Sequence, residues 1–270
     1  MPETPALSPH IAHLLATESP LHAWTAHRLM GGVSKPPTSA QEMGTLLHHM
    51  LLEGGDNLSI LEFDSYRSAA AKEARTKAVF EGKIPCLREK AEDAGHIVGR
   101  WMDRLADIRI QGAEIYLHKG KTEYPLEWTE DGVLCHGRAD WLSDDRQLLI
   151  DLKAVSGSCH PDACTRSLLD TAGVIQDHAY RACLDSWDVH MAGRTEMVFL
   201  FAQTIEPYCV TPIYLGGSMR EIGSGRWRRA KAIWSRCTKT GVWPSYSKTP
   251  IRAEAPGWAL AKEMSEAGSE

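Results

Sequence analysis

Residues 133–155 read VLCHGRADWLSDDRQLLIDLKAV, and the patterning of this stretch decides the fold. Two apolar-rich runs, Val133 to Leu142 and Gln147 to Val155, flank the turn formers Ser143-Asp144-Asp145, so the stretch reads as two strands folded back on each other. In Ile150-Asp151-Leu152-Lys153 the two-residue period of a strand sets Asp151 and Lys153 on one face while Ile150 and Leu152 point the other way. Asp140 stands on the adjoining strand, and the turn brings its carboxylate near that of Asp151. Two converging carboxylates are costly unless a cation neutralises them, and hard divalent ions such as Mg2+ take oxygen ligands of this kind. Lys153 adds a positive charge of the sort that phosphodiester cleavage needs beside an attacking water or developing phosphorane oxygens. An acid beside a lysine on a strand edge also describes a plain surface ion pair. The catalytic reading therefore draws on residues further along the chain.

Outward from this stretch, Thr122 to Trp128 reads as a third strand, joined through the turn Glu130-Asp131-Gly132 into a meander. Downstream come a helix from Ser167 to Trp187, strands at Met197 to Thr204 and Tyr208 to Leu215, a basic closing helix and a loose tail after Pro256. Upstream, a helix from Ser8 to Leu15 precedes one from Ser19 to Leu29, with Ser19 as N-cap and Pro20 as its first residue. A loop with Gly31-Gly32 and Pro36-Pro37 follows. Ala40 to Leu52 then places Met43, Leu47, Met50 and Leu51 at helical spacing, and Gly54-Gly55 stops it. Tyr66 to Leu105 predicts two helices split around Gly82 to Pro85. The order of elements gives an α/β (α+β) fold, a central mixed β-sheet flanked by helices. A single domain is expected over 1–255, with a mainly helical portion over 1–105, the catalytic sheet and its helices over 106–255, and a flexible tail over 256–270.

The 270 residues are 43% hydrophobic and 24% charged, an ordinary globular balance. No run approaches the roughly 18 apolar residues of a membrane span. The start, Met1-Pro2-Glu3-Thr4-Pro5, lacks a basic-then-apolar secretion signal, so a cytoplasmic location is expected. The cysteines are odd in number and form no CxxC pair, which points to reduced thiols and away from disulfides, zinc or iron–sulfur sites. The formal charge of −5 argues against a protein that coats nucleic acid, yet from Ile222 to Arg252 there are eight basic residues and no acidic one. Arg226, Arg228, Arg229 and Lys231, together with Arg138, are the candidate DNA contacts; the same run also fits the solvated face of a terminal helix. Trp227, Trp234 and Trp243 interleave with these residues and are assigned to core packing.

With Gly137-Arg138-Ala139-Asp140 and Ile150-Asp151-Leu152-Lys153 the chain resembles the PD-(D/E)xK nuclease superfamily, although Ala139 stands where that family usually has Pro. Within it the closer resemblance is to the RecE-like (exodeoxyribonuclease VIII-type) phage and prophage exonucleases, which carry Gly-Thr-x-Leu-His and an acid-ending apolar run on an upstream helix. Gly44-Thr45-Leu46-Leu47-His48-His49-Met50-Leu51-Leu52-Glu53 matches that pattern. Gln176-Asp177-His178-Ala179-Tyr180 matches the family's Gln-x-x-x-Tyr, whose spacing puts both side chains on one helix face.

The resemblance implies a restriction-endonuclease-like core and a catalytic set of Asp140, Asp151, Lys153, Gln176 and Tyr180. It implies metal ligation by His48, Asp140, Asp151 and the Leu152 backbone carbonyl. An additional acid is expected one strand before Asp140; Glu123 is the candidate, with Glu114 and Glu127 as competitors. Mg2+ is the expected cofactor, and the imidazole donor makes Mn2+ a second. The implied activity is 5′ to 3′ hydrolysis of double-stranded DNA from its ends in a host-cell cytoplasm, by a ring-shaped homo-oligomer that passes single strands to a RecT or Red-beta type annealing protein. The alternatives are a structure-specific or CRISPR-associated-type endonuclease of the same superfamily, and a non-catalytic DNA-binding subunit.

Overall fold

Asp145 closes the turn on which the fold depends. Its carboxylate accepts hydrogen bonds from the Ser143 hydroxyl at 2.6 Å and the Gln147 N–H at 3.0 Å, so the two flanking strands reverse tightly. The computed structural model describes residues 4–33, 37–110, 112–114, 117 and 119–267. In chain order the elements are α1 (Pro9–Thr17), α2 (Pro20–Ala26), α3 (Ser39–Glu53), β1 (Leu58–Leu61), α4 (Ala69–Phe80), β2 (Ile84–Leu87) and α5 (Arg88–Leu105). The short strands β3 (Arg109–Ile110) and β4 (Ala113–Glu114) lead into β5 (Lys121–Glu130), β6 (Val133–Leu142) and β7 (Leu148–Val155). Then follow α6 (Pro161–Asp170), α7 (Gly173–Trp187), β8 (Glu196–Gln203), β9 (Val210–Tyr214), α8 (Gly217–Thr240) and α9 (Gly257–Ala267).

The main sheet runs β5-β6-β7-β8-β9, antiparallel throughout except for the parallel pair β7 and β8. A parallel neighbour needs a crossover, which α6 and α7 supply. Helices cover both faces. On β8, Met197, Phe199 and Phe201 enter one core with α1, α7 and α8, while Val198, Leu200 and Ala202 enter the other with α3 and α5. Burial on both faces explains why β8 reads as an unbroken apolar run. This is the mixed sheet flanked by helices that the element order implies.

Two irregularities shape the candidate site. First, β6 and β7 pair only at Trp141 with Ile150 and Leu142 with Leu149, then diverge. Leu7 fills part of the gap, its N–H donating to Leu134 O and its carbonyl accepting from His136 N–H. Second, the alternation of β6 slips near Asp140. Ala139 and Leu142 face one core and Trp141 the other, whereas a strict two-residue period would align Trp141 with Ala139.

Several boundaries differ from the sequence reading. The second helix ends at Ala26, short of Leu29. The helix expected from Ser167 to Trp187 is two, because Thr171 is extended and breaks the run before α7. Beyond the expected split around Gly82 to Pro85, Ile84–Leu87 is a strand, parallel to Leu58–Leu61. The tail after Pro256 carries α9, none of whose residues is buried. Pro36, in the predicted loop after Gly31-Gly32, and residues 268–270 of the tail lie outside the described residues.

Candidate metal centre

Helix α3 aims its histidine by an orderly start and stop. Thr38 and Gln41 form a reciprocal capping box at its beginning, and Gly54 in the left-handed conformation ends it. Leu46, Leu47, Leu51 and Leu52 anchor it in the core, which turns Gln41, Gly44, Thr45 and His48 toward a cleft of about 960 Å3. His48 Nε2 lies 3.0 Å from Asp140 Oδ2, and its Nδ1 lies 3.3 Å from Glu123 Oε1. Among the described residues, His48, Glu123 and Asp140 are the group whose ligand atoms converge closely enough to hold a metal ion, within 4.8 Å of one another.

Glu123 reaches this point through backbone geometry that a regular strand does not supply. The flanking register pairs Thr122 with Trp141 and Tyr124 with Ala139, so Glu123 falls opposite Asp140, and it does so at φ 49°. A non-glycine residue in that region is uncommon and costs about 1–3 kcal/mol, a strain that clusters at functional sites. Arg138 Nε, 2.6 Å from Glu123 Oε2, holds the carboxylate from the exposed side. Of the competing acids, Glu114 pairs with Arg109 at 2.9 Å, and Glu127 is not in the cluster.

Where β6 and β7 part, the Leu152 N–H donates to Asp140 Oδ2 at 2.9 Å, fixing that carboxylate between the strands. Asp151 lies next to this carboxylate, deeper in the protein. Only 2% exposed, it accepts a hydrogen bond from the Gln176 amide and lies against the Lys153 ammonium, an ion pair without hydrogen-bond geometry that leaves Oδ2 unbonded. Lys153 Nζ is also 3.5 Å from Gln176 Oε1. Asp151 thus adjoins the cluster of three rather than belonging to it, which differs from the ligand set drawn from the sequence.

The titration of these groups reflects charge crowding. Burial pushes the Asp151 carboxyl up to about 6, with Asp140 adding to the effect and Lys153 and Gln176 opposing it. Glu123 is raised, first by burial and then by Asp140 and Glu53, against Arg138 and His48. For Asp140, burial is outweighed by His48, Lys153 and the Leu152 N–H, so it sits below its ordinary value. Burial would lower His48 and Lys153, but neighbouring carboxylates hold both above their usual values. Three carboxylates in one cleft resist ionising together, and a divalent cation removes that conflict. One imidazole with two carboxylates suits Mg2+ or Mn2+, so the residues present fit such an ion.

Tyr180 shares α7 with Gln176 and reaches across to β6. Its hydroxyl donates to Arg138 O at 3.0 Å and accepts from Arg138 N–H at 3.2 Å, so it braces β6, and it stands against Gln176 of the same helix with Asp151 and Asp140 close by. The adjacent Gly137 is required by that packing: a Cβ there would stand 2.2 Å from the Tyr180 ring. Lys231 departs from its expected DNA-binding role. It is buried, held by Glu130 and by Asp131 at 2.6 Å, because its face of α8 turns inward beside Trp227. Arg226 spends a guanidinium nitrogen on Leu169 O at 2.6 Å, while Arg228 and Arg229 are exposed. Trp227 and Trp234 are core residues. His49 and Glu53 were not singled out from the sequence, yet both line the cleft, with His49 Nδ1 2.9 Å from Glu53. Their i, i+4 spacing within the acid-ending run was the available signal.

No helix among the described residues is long and apolar enough to cross a membrane. Neither a family model nor a curated protein matches the sequence significantly. Among solved structures, SSO0001 shares 11% identity over 72% of this chain and 85% of that one, with a TM-score of 0.30 that bears no argument. The fold is similar to that of a "Putative exonuclease" from Eubacterium rectale, over 94% of this chain and 92% of that one, at 10% identity and a TM-score of 0.60.

Proposed function

We propose that the protein is a metal-dependent DNA nuclease that degrades linear duplex from its ends. The observation that carries this reading is the convergence of His48, Glu123 and Asp140 beside the Asp151, Lys153 and Gln176 network in one cleft. The exonuclease-like fold supports it. His48, Glu123 and Asp140 would hold the cation, with Asp151 next to them. When bound, a divalent ion supplies charge to the phosphate oxygens and acidifies a coordinated water.

The chain's own residues do the rest. Lys153 is held protonated by Asp151, so it acts as a donor and fixed charge toward the attacking water or a phosphate oxygen and not as a proton acceptor. Gln176 orients Asp151 and Lys153 together from α7. Tyr180 and Arg138 keep β6, and with it Asp140, in register. By the resemblance to RecE-like enzymes, digestion runs 5′ to 3′, uses Mg2+ or Mn2+, and leaves a single strand for an annealing protein in recombination, with the enzyme assembled as a ring.

The test is digestion of duplex DNA labelled at either 5′ or 3′ ends, with and without Mg2+, beside covalently closed circles. Expected is Mg2+-dependent loss of linear duplex with early release of the 5′ label, and intact circles. Rapid nicking of circles would replace this reading with an endonuclease. No cleavage of any form would leave a DNA-binding subunit.

A further inference from the structure

Residues 67–90 contain seven basic and three acidic side chains in a chain of formal charge −5. Their α4 and β2 build a small lobe with β1, and Asn57, Gly82 and Ile84 of this lobe line the same cleft as the His48, Glu123 and Asp140 cluster. Helix α4 packs through Ala71 and Ala78. At about 3.6 residues per turn, Phe80 falls on the opposite side of the helix from that packed face. It is 92% exposed, two residues from Gly82 at the cleft wall, and Val79 beside it is 59% exposed. An aromatic ring left in water forfeits the burial that normally justifies it.

The surroundings of Phe80 say what would cover it. Lys77 is three positions before it and Lys72 eight, both exposed and neither in an ion pair among the described residues. An aromatic face flanked by free ammonium groups is the arrangement that takes single-stranded nucleic acid, the ring stacking on a base and the cations meeting phosphates. We propose that α4 is a grip for unpaired DNA at the mouth of the cleft, with Phe80 stacked on a base and Lys72 and Lys77 on the neighbouring phosphates. This deepens the nuclease reading and rests on it.

The test measures binding of a duplex with a short single-stranded overhang carrying 2-aminopurine, in Ca2+ to suppress cleavage, beside a blunt duplex. Phe80→Ala is expected to weaken overhang binding about tenfold and to remove the fluorescence quenching, with a smaller effect on blunt duplex. Phe80→Trp is expected to restore both, and Lys72→Ala with Lys77→Ala to weaken binding and flatten its salt dependence. Thermal melting is expected to stay unchanged, since these side chains are exposed. Unaltered overhang binding by Phe80→Ala, in a protein whose wild type binds DNA, would overturn the proposal and leave the nuclease reading standing. Absence of DNA binding by the wild type would instead remove that reading. Loss of self-association at constant DNA affinity would reassign the patch to a second copy of the chain and likewise overturn the proposal.

Discussion

Asp151 is the residue on which charge and burial conflict most. Its pKa stands at about 6, above the ordinary 3.8, so folding favours the protonated form. The stability that this preference contributes is present at low pH and lost as pH rises through about 6. A nearby divalent cation offsets the loss by favouring the carboxylate. The rise in melting temperature on adding Mn2+ is therefore expected to be small near pH 5 and to grow above pH 6; a shift independent of pH would contradict this. Gln176→Ala is expected to cost about 10- to 100-fold in activity, on the scale of losing a hydrogen-bonding partner that orients groups beside a metal site, and the rate of Mg2+-dependent duplex digestion measures it. Gly137→Ala would drive a methyl into Tyr180 and is expected to destabilise by about 1–3 kcal/mol in urea unfolding. At this scale the strand period set Asp151 and Lys153 on one face and the turn set Asp140 near them, while His48 was drawn from the resemblance of its helix motif. The sequence could not show that Asp151 stands beside the group of His48, Glu123 and Asp140 and outside it, since the slip of β6 lies in the divergence of two strands. Nor could it show that Glu123 gains its position through a left-handed residue.

Elements hold the site by two contacts that single residues permit. Helices α7 and α8 cross where Gly223 meets Val174, and an added Cβ would lie 2.0 Å from the Val174 carbonyl oxygen. Because α7 carries Gln176, separation of these helices reaches the Asp151 and Lys153 network as well as the core. One to two turns further along α8, Glu130 accepts from Trp227 at 2.9 Å and Trp128 at 3.3 Å and pairs with Lys231. Burial raises Glu130, but Lys231 and the two indoles together hold it below its ordinary value. Its contribution is thus present above the unfolded pKa and lost as pH falls through the lowered one. Glu130→Gln is expected to cost about 1–3 kcal/mol at neutral pH and to flatten the stability loss on the acid side, as read by denaturant melts across pH. The basic run from Ile222 could be read from sequence, but its division between surface and core could not. Lys231 goes inward because Glu130 and Asp131, a hundred residues away in sequence, meet it there.

Across the whole molecule, the alternation of apolar and polar residues and the turn at Asp145 foretold a mixed sheet between helical layers, with the carboxylates at its centre. The four-residue strands β1 and β2 escaped notice because so short a run carries no distinct period, and parallel pairing depends on partners distant in sequence. Helix α9 contributes no buried residue, so truncation after Pro256 is expected to leave the melting temperature essentially unchanged. These elements place one cleft around one cluster, and the central claim is that His48, Glu123 and Asp140 hold a cation there that drives DNA hydrolysis. The most direct test is the rate at which wild type and Asp140→Asn degrade end-labelled linear duplex in Mg2+, at matched folding by circular dichroism. The structure predicts a loss of about a hundredfold or more in the variant, on the scale of removing one preorganised group from a charge-stabilising site. Equal rates for the two proteins would contradict it.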